Sequence, residues 1–238
     1  MHKTLRRLVA FGFSLYWRGA LLDVENLPQA GPAVFVANHL GALGPIAVGA
    51  ALPRDFYFWI HADLLDPHRA PAYLRRDFLE PHARFPPLIH AWAAAAISSI
   101  HIPLLGAVGG VPVYHGAREL DETFGRSLRL LTEGQRLLIF PEHPRLPCDL
   151  QTHMRPFQKG FTRLGELFYE RTRLSLPFIP LAVHASTRTV QVGRPIRYNP
   201  HSKPVLERLR LQHALEESVR GMLMGVALEE RLRLTLPS

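Results

Sequence analysis

The chain has a single cysteine, Cys148, in 238 residues. That excludes an intramolecular disulfide framework and a cysteine-based zinc site. It is also short of acid: 20 Asp and Glu against 28 Lys and Arg leave a formal charge of +8. Such an imbalance points to an anionic partner, whether nucleic acid, an anionic membrane surface or a phosphate-bearing substrate. Helix-turn-helix, RNP-like and zinc-finger patterns are missing, which leaves the nucleic-acid option without a motif. The 13 histidines are scattered, without HExxH or an equivalent ligand spacing, so no metal site is expected. A composition of 47% hydrophobic and 20% charged residues excludes a disordered or collagen-like chain.

A long uninterrupted hydrophobic run is lacking too. Phe85 to Ala117 contains no Asp, Glu, Lys or Arg, but Pro86, Pro87, Pro103 and Pro112 break it. Only Leu88 to Ile102 reads as an unbroken helix, which is short for a crossing, so a buried or membrane-dipping helix is expected there. At the N-terminus the apolar stretch Leu8–Trp17 would rise only about 15 Å as a helix, half of a hydrocarbon core. A signal peptide is disfavoured because no small-x-small cleavage site precedes the next strand. Phe11, Phe13, Tyr16 and Trp17, flanked by Lys3, Arg6, Arg7 and Arg18, suit a helix lying among lipid headgroups. Packing of that helix on its own domain is the alternative. Arg69, Arg75, Arg76 and Arg84 form a basic stretch that faces either headgroups or solvent.

Periodicity then predicts alternating strands and helices. Ala33–Ala37, Val111–Tyr114, Arg136–Phe140, Phe178–Val183 and Val190–Val192 read as strands. Leu120, Phe124, Leu128 and Leu131 recur at helical spacing, with Gly134 as a C-terminal cap. Phe157, Phe161, Leu164, Leu167 and Phe168 mark a second amphipathic helix. A charged helical segment follows from Lys203 to Leu234, with Leu206, Leu209, His213, Leu215 and Val219 available for burial. The expected architecture is α/β: one domain, with a mixed β-sheet covered by helices. Residues 1–23 are expected as an N-terminal amphipathic, membrane-associating helix, 24–200 as the α/β domain and 201–238 as a C-terminal helical segment.

Asn38-His39 follows the first strand, where α/β sheets place ligands. Further on come GGVPVYH from Gly109, FPEHPR from Phe140, FQKG from Phe157, FIPLAV from Phe178 and VGRPI from Val192. In this order and spacing the chain resembles the glycerolipid acyltransferases, the family of the lysophosphatidic acid acyltransferases. Its NHxxxxD, GxIPVxR, FPEGTR and FKKG blocks match these stretches over roughly residues 24 to 200.

The resemblance implies acyl transfer from acyl-CoA or acyl carrier protein to a hydroxyl of a lysoglycerolipid-type acceptor in phospholipid synthesis. The thioester is a co-substrate, and no other cofactor is implied. An alcohol is a poor nucleophile at neutral pH, and the resemblance makes His39 the base that takes its proton. Three departures from the family pattern stand out. The Asp that should orient His39 is Gly44, the Arg of the second block is His115, and Gly-Thr of the third is His143-Pro144. The expected catalytic pair is therefore His39 with Glu142 as substitute carboxylate, and Asp63 and Asp66 stand behind Glu142. Substrate contacts are expected from Asn38, His115, Arg118, Arg145, Lys159 and Gly160. The expected partners are membrane lipids and the acyl donor, at the cytoplasmic face of a membrane. A relative that binds acyl lipid without turnover is the alternative that Gly44 and His115 raise.

Overall fold

The computed structural model describes residues 12–13, 15, 17–41, 43–52, 56–76, 87–107, 109–114 and 117–235; for 87–92, 100–101, 107, 117–119 and 227–235 it describes the backbone alone. They fall into two compact units, one of Tyr57–Arg126 and one of Ala10–Phe56 with Ser127–Ser238. Both are mixtures of strands and covering helices, which makes the chain α/β.

The larger unit is built on β2 (Ala33–Ala37), a five-residue run in which every side chain is buried. A strand apolar on both faces belongs inside a sheet, and β2 lies between two parallel neighbours. On one side it pairs with β5 (Arg136–Ile139) and on the other with β6 (Pro177–His184). From β6 the sheet turns antiparallel to β7 (Thr189–Val192), and β7 pairs in parallel with β1 (Ala20–Leu22). A short β8 (Ile196–Arg197) pairs with the start of β6. The core is Val34, Phe35 and Val36 with Leu137, Leu138, Phe178, Ile179 and Leu181, all 0–1% exposed. The helices of this unit are α1 (Leu43–Ala51), α5 (Arg163–Thr172) and α6 (Pro204–Thr235).

The smaller unit holds the parallel pair β3 (Tyr57–His61) and β4 (Gly110–Val113), with α2 (Ala70–Leu74) and α3 (Pro87–Ala107). Trp59 meets Phe124 edge-on at 5.9 Å, and Thr123 donates its hydroxyl to the Pro112 carbonyl at 2.8 Å. Both residues belong to α4 (Ala117–Thr132), within which the chain passes from one unit to the other. Gly134 ends α4 in the left-handed conformation (φ 78°), as expected of a C-terminal glycine.

Three expectations need correction. The helix expected to end at Ile102 runs on to Ala107 with Pro103 inside it; the proline forfeits one bond to the Ser99 carbonyl, and the apolar sequence on either side sustains the turn. No helix among the described residues is long and apolar enough to cross a membrane. In α6 the buried stripe is Glu207, Leu211, Leu215, Val219 and Leu223, spaced by four, while Leu206 and Leu209 face outward and His213 pairs with Glu217 at 3.3 Å. Leucines occur on several faces of this charged helix, and packing against β6 selects one of them. Trp17, expected at lipid headgroups, is 3% exposed and lies under the Arg188 guanidinium at 5.3 Å. Most of the expected N-terminal helix falls outside the described residues.

Candidate active site

The site grows from the C-terminal end of β2. Asn38, 1% exposed, uses both ends of its amide on one residue of β6. Its Nδ2 donates to the Val183 carbonyl at 3.1 Å, and its Oδ1 accepts the Val183 N–H at 2.7 Å. Asn38 therefore extends the β2–β6 ladder by a side chain, with one amide hydrogen and one oxygen lone pair engaged on Val183. The residue expected at the substrate is thus a brace that fixes where the next residue emerges.

That residue is His39. Its backbone N–H donates to Glu142 Oε1 at 2.7 Å, and Glu142 Oε2 accepts the Arg155 N–H at 3.0 Å. The substitute carboxylate thus reaches His39 by its backbone and not by its imidazole. This alters the contact expected of Glu142: it holds the backbone of the candidate base and does not fix the tautomer of its ring. The ring packs edge-on against Phe140 at 5.3 Å, and among the described residues no group hydrogen-bonds to its nitrogens. His39 keeps an accessible face, yet enough protein surrounds the ring to lower its pKa below the ordinary histidine value. Burial is the larger cause and the Arg155 charge the second. Both causes favour the neutral imidazole over the charged one, and the neutral form is the one a base needs. Glu142 shifts the other way: burial raises its pKa, against the pull of its two backbone bonds and of Arg155 and Arg220.

Gly44, at the first turn of α1, lies against Phe140 and the Asn38–His39 backbone. A Cβ there would stand 3.2 Å from Phe140 Cε1, 3.3 Å from the Asn38 carbonyl and 3.8 Å from His39 Cα. Position 44 is therefore the neighbour of the base that the motif spacing implies, and it carries no side chain. Asp63 and Asp66 belong to the smaller unit, where both face Arg69, at 3.3 and 3.8 Å. A cavity of about 570 Å³ in that unit is lined by these two acids, Arg69, Arg126, Tyr114 and Ile102 among others.

The strand end at Ile139 leads through Phe140-Pro141-Glu142 into a loop that returns at Phe157. Its base is closed by a bridge between Glu142 and Phe157 and by the His143 N–H on the Pro156 carbonyl at 2.9 Å. Helix α6 holds the returning end: Glu216 accepts the Phe157 N–H and Gln212 donates to its carbonyl, both at 2.8 Å. Arg145, Lys159 and Gly160 are exposed on and just after this loop. His115 lies outside the described residues, and Arg118 is described by its backbone alone. Among the described residues no group of three or more His, Cys, Asp or Glu could hold a metal ion.

Arg155 is the residue that sequence reasoning missed. It shares Glu142 with His39 through backbone bonds, its charge acts on both, and its exposed side chain has no carboxylate within 4 Å among the described residues. Its only signal was its place two residues before Phe157-Gln158-Lys159-Gly160, and a single arginine in a loop does not announce that its charge acts on a ring 116 residues away in the chain.

No family model matches the chain, and no curated protein sequence does. The fold, however, is that of a solved enzyme. The 1-acyl-sn-glycerophosphate (LPA) acyltransferase PlsC of Thermotoga maritima superposes with a TM-score of 0.57 at 13% identity, over 100% of this chain and 81% of that one. What the two share at that identity is the α/β architecture, with its sheet and covering helices.

Proposed function

We propose that the protein is an O-acyltransferase that moves a fatty acyl group from acyl-CoA or acyl carrier protein to a hydroxyl of a lysoglycerolipid-type acceptor. The observation that carries this reading is His39: a partly accessible imidazole at the C-terminal end of a central strand, its pKa lowered by burial, on a residue whose backbone N–H donates to Glu142. The shared architecture with a lysophosphatidate acyltransferase supports it. In the proposed step the acceptor hydroxyl gives its proton to His39 as its oxygen attacks the thioester carbonyl. The tetrahedral adduct then collapses, the C–S bond breaks, and the imidazolium returns the proton to the departing thiolate.

Arg155 is the cation placed to hold an acceptor phosphate beside the base, in the role left open by His115. Arg145 and Lys159 extend the cationic surface, and Gly160 opens the short helix Gly160–Thr162 beside them. The reaction would take place at the cytoplasmic face of a membrane, where such acceptors reside. One observation favours binding without turnover: among the described residues no carboxylate bonds the His39 ring, and Gly44 supplies none.

The test is direct. Purified protein should transfer acyl groups to lysophosphatidate from acyl-CoA or acyl carrier protein, and His39→Ala should lower the rate by at least about two decades, the usual worth of a positioned base. Parent activity equal to that of His39→Ala across donors and acceptors would leave the binding reading in its place.

A further inference from the structure

The loop between Glu142 and Phe157 carries a feature that acyl transfer does not use. It is pinned at two levels. Beyond its closed base, the Asp149 N–H donates to the Met154 carbonyl and the His153 N–H to the Asp149 carbonyl, each at 2.9 Å. The Asp149 carboxylate accepts from Gln151 N–H, Thr152 N–H and the Thr152 hydroxyl at 2.8–3.0 Å. Met154, 1% exposed, plugs the loop into the core.

Despite that anchoring, the outer edge is apolar and uncovered. Leu150 is 91% exposed and Leu146 is 43% exposed, with Pro147 and Cys148 exposed between them. A slack loop would fold such leucines inward; this one is bonded into presenting them. The charge around them has one sign. From His143 to Gly160 the only acid is Asp149, and Arg220 faces it at 3.5 Å. Arg145 directly precedes Leu146 and Lys159 follows the loop's closing residue Phe157, both exposed and without an ion pair among the described residues.

We infer that this loop is a membrane-docking element. Leu146 and Leu150 enter the boundary between headgroups and acyl chains of an anionic bilayer, and Arg145 and Lys159 meet the headgroup phosphates. Apolar tips with basic flanks are complementary to that surface and to neither pure water nor a neutral bilayer. Because the loop begins at Glu142, which holds the His39 backbone, docking brings the candidate base to the lipid interface.

The chain's only cysteine makes the test simple, since Cys148 is exposed between the two leucines. Full-length protein labelled there with an environment-sensitive fluorophore is mixed with vesicles of equal phosphatidylglycerol and phosphatidylcholine, with vesicles of phosphatidylcholine alone, and with acyl carrier protein. The expected result is a blue-shifted, brighter emission with the anionic vesicles only, quenched by spin-labelled acyl chains. Unlabelled Leu146→Ser/Leu150→Ser protein should partition onto those vesicles about tenfold more weakly or worse, and Arg145→Gln/Lys159→Gln should remove part of the salt dependence. Three results would overturn the inference: a label still quenched by aqueous iodide on vesicle-bound protein, unchanged partition of the serine variant, or a response to carrier protein and not to vesicles. None of these readouts needs turnover, so an inactive protein that docks refutes only the enzyme reading, and an active one that does not dock refutes only this one.

Discussion

Two carboxylates fix the same loop, Glu142 at its base and Asp149 near its tip, and they differ in what fixing costs. Each accepts backbone N–H groups: Glu142 from His39 and Arg155, Asp149 from Gln151 and Thr152. Yet the Glu142 pKa is raised and the Asp149 pKa lowered. Burial dominates at Glu142, whereas hydrogen bonds from Thr152 dominate at the more open Asp149. The same ligation therefore strains against desolvation in one place and adds to stability in the other. A raised carboxyl pKa beside the candidate base matches the proposed placement of the site at this end of the loop.

Removing Glu142 should break that contrast with the largest effect. Glu142→Ala leaves the His39 and Arg155 N–H groups without their acceptor, at about 1 kcal/mol of stability per bond. His39 then loses its placement, and transfer should fall by about two decades. Asp149→Ala should leave the chemical rate nearly intact. Equal losses from the two substitutions, measured as kcat on a soluble short-chain acceptor, would show that the loop acts as a whole and Glu142 has no special part.

Gly44→Asp sharpens the same comparison by offering His39 a second carboxylate. Gly44 has no left-handed φ, so the obstacle is space: Phe140 and the Asn38 carbonyl crowd the new Cβ at 3.2 and 3.3 Å. Overpacking of this kind costs about 1–3 kcal/mol. The expected outcome is a kcat raised about tenfold in a protein with a lower Tm, because the imidazole gains a partner for its second nitrogen. An unchanged kcat in a folded variant would show that the backbone clamp of Glu142 already suffices.

Arg155 ties the base to its surroundings by charge. Arg155→Gln should raise KM for a phosphorylated acceptor by about one to two decades, the worth of a charge-assisted contact of roughly 1.5–3 kcal/mol. Its cation also lowers the His39 pKa, so its loss should move the acid limb of kcat/KM to higher pH. The limb should stop short of the ordinary histidine value, because burial is the larger cause and remains. A KM change without movement of that limb would place Arg155 on the acceptor but away from the base.

How much of this was legible in the sequence follows from the range of the contacts. Ala33–Ala37 was readable to the residue because a strand buried on both faces has to be apolar throughout. Asn38, His39 and Glu142 were found from the order of short motifs, but their bonds were not. Asn38 is tied to Val183, 145 residues away, and nothing local announces that brace. Arg155 stayed hidden for the same reason. In α6 the helix was readable and its buried face was not, since leucines point several ways and only β6 decides among them.

The smallest expected effect lies at Asp149. Its folded pKa is lowered from the ordinary 3.8, chiefly by Thr152. A group depressed in the folded state contributes stability that is present above its unfolded pKa and is lost as pH falls through the folded one. Asp149 is thus fully stabilising at neutral pH and fades only in acid below about 3.8. Glu142 has the opposite sign: with its folded pKa raised above 4.5, its ionisation costs stability as pH climbs through that value. In Tm measured from pH 2.5 to 7, Asp149→Asn should lower stability near neutrality and converge on the parent in acid. Glu142→Gln should do the reverse, diverging favourably from the parent as pH rises, if the amide keeps one of the two backbone bonds. Parallel curves for the two variants would mean that burial does not set these carboxylates apart, and the contrast between base and tip would be lost.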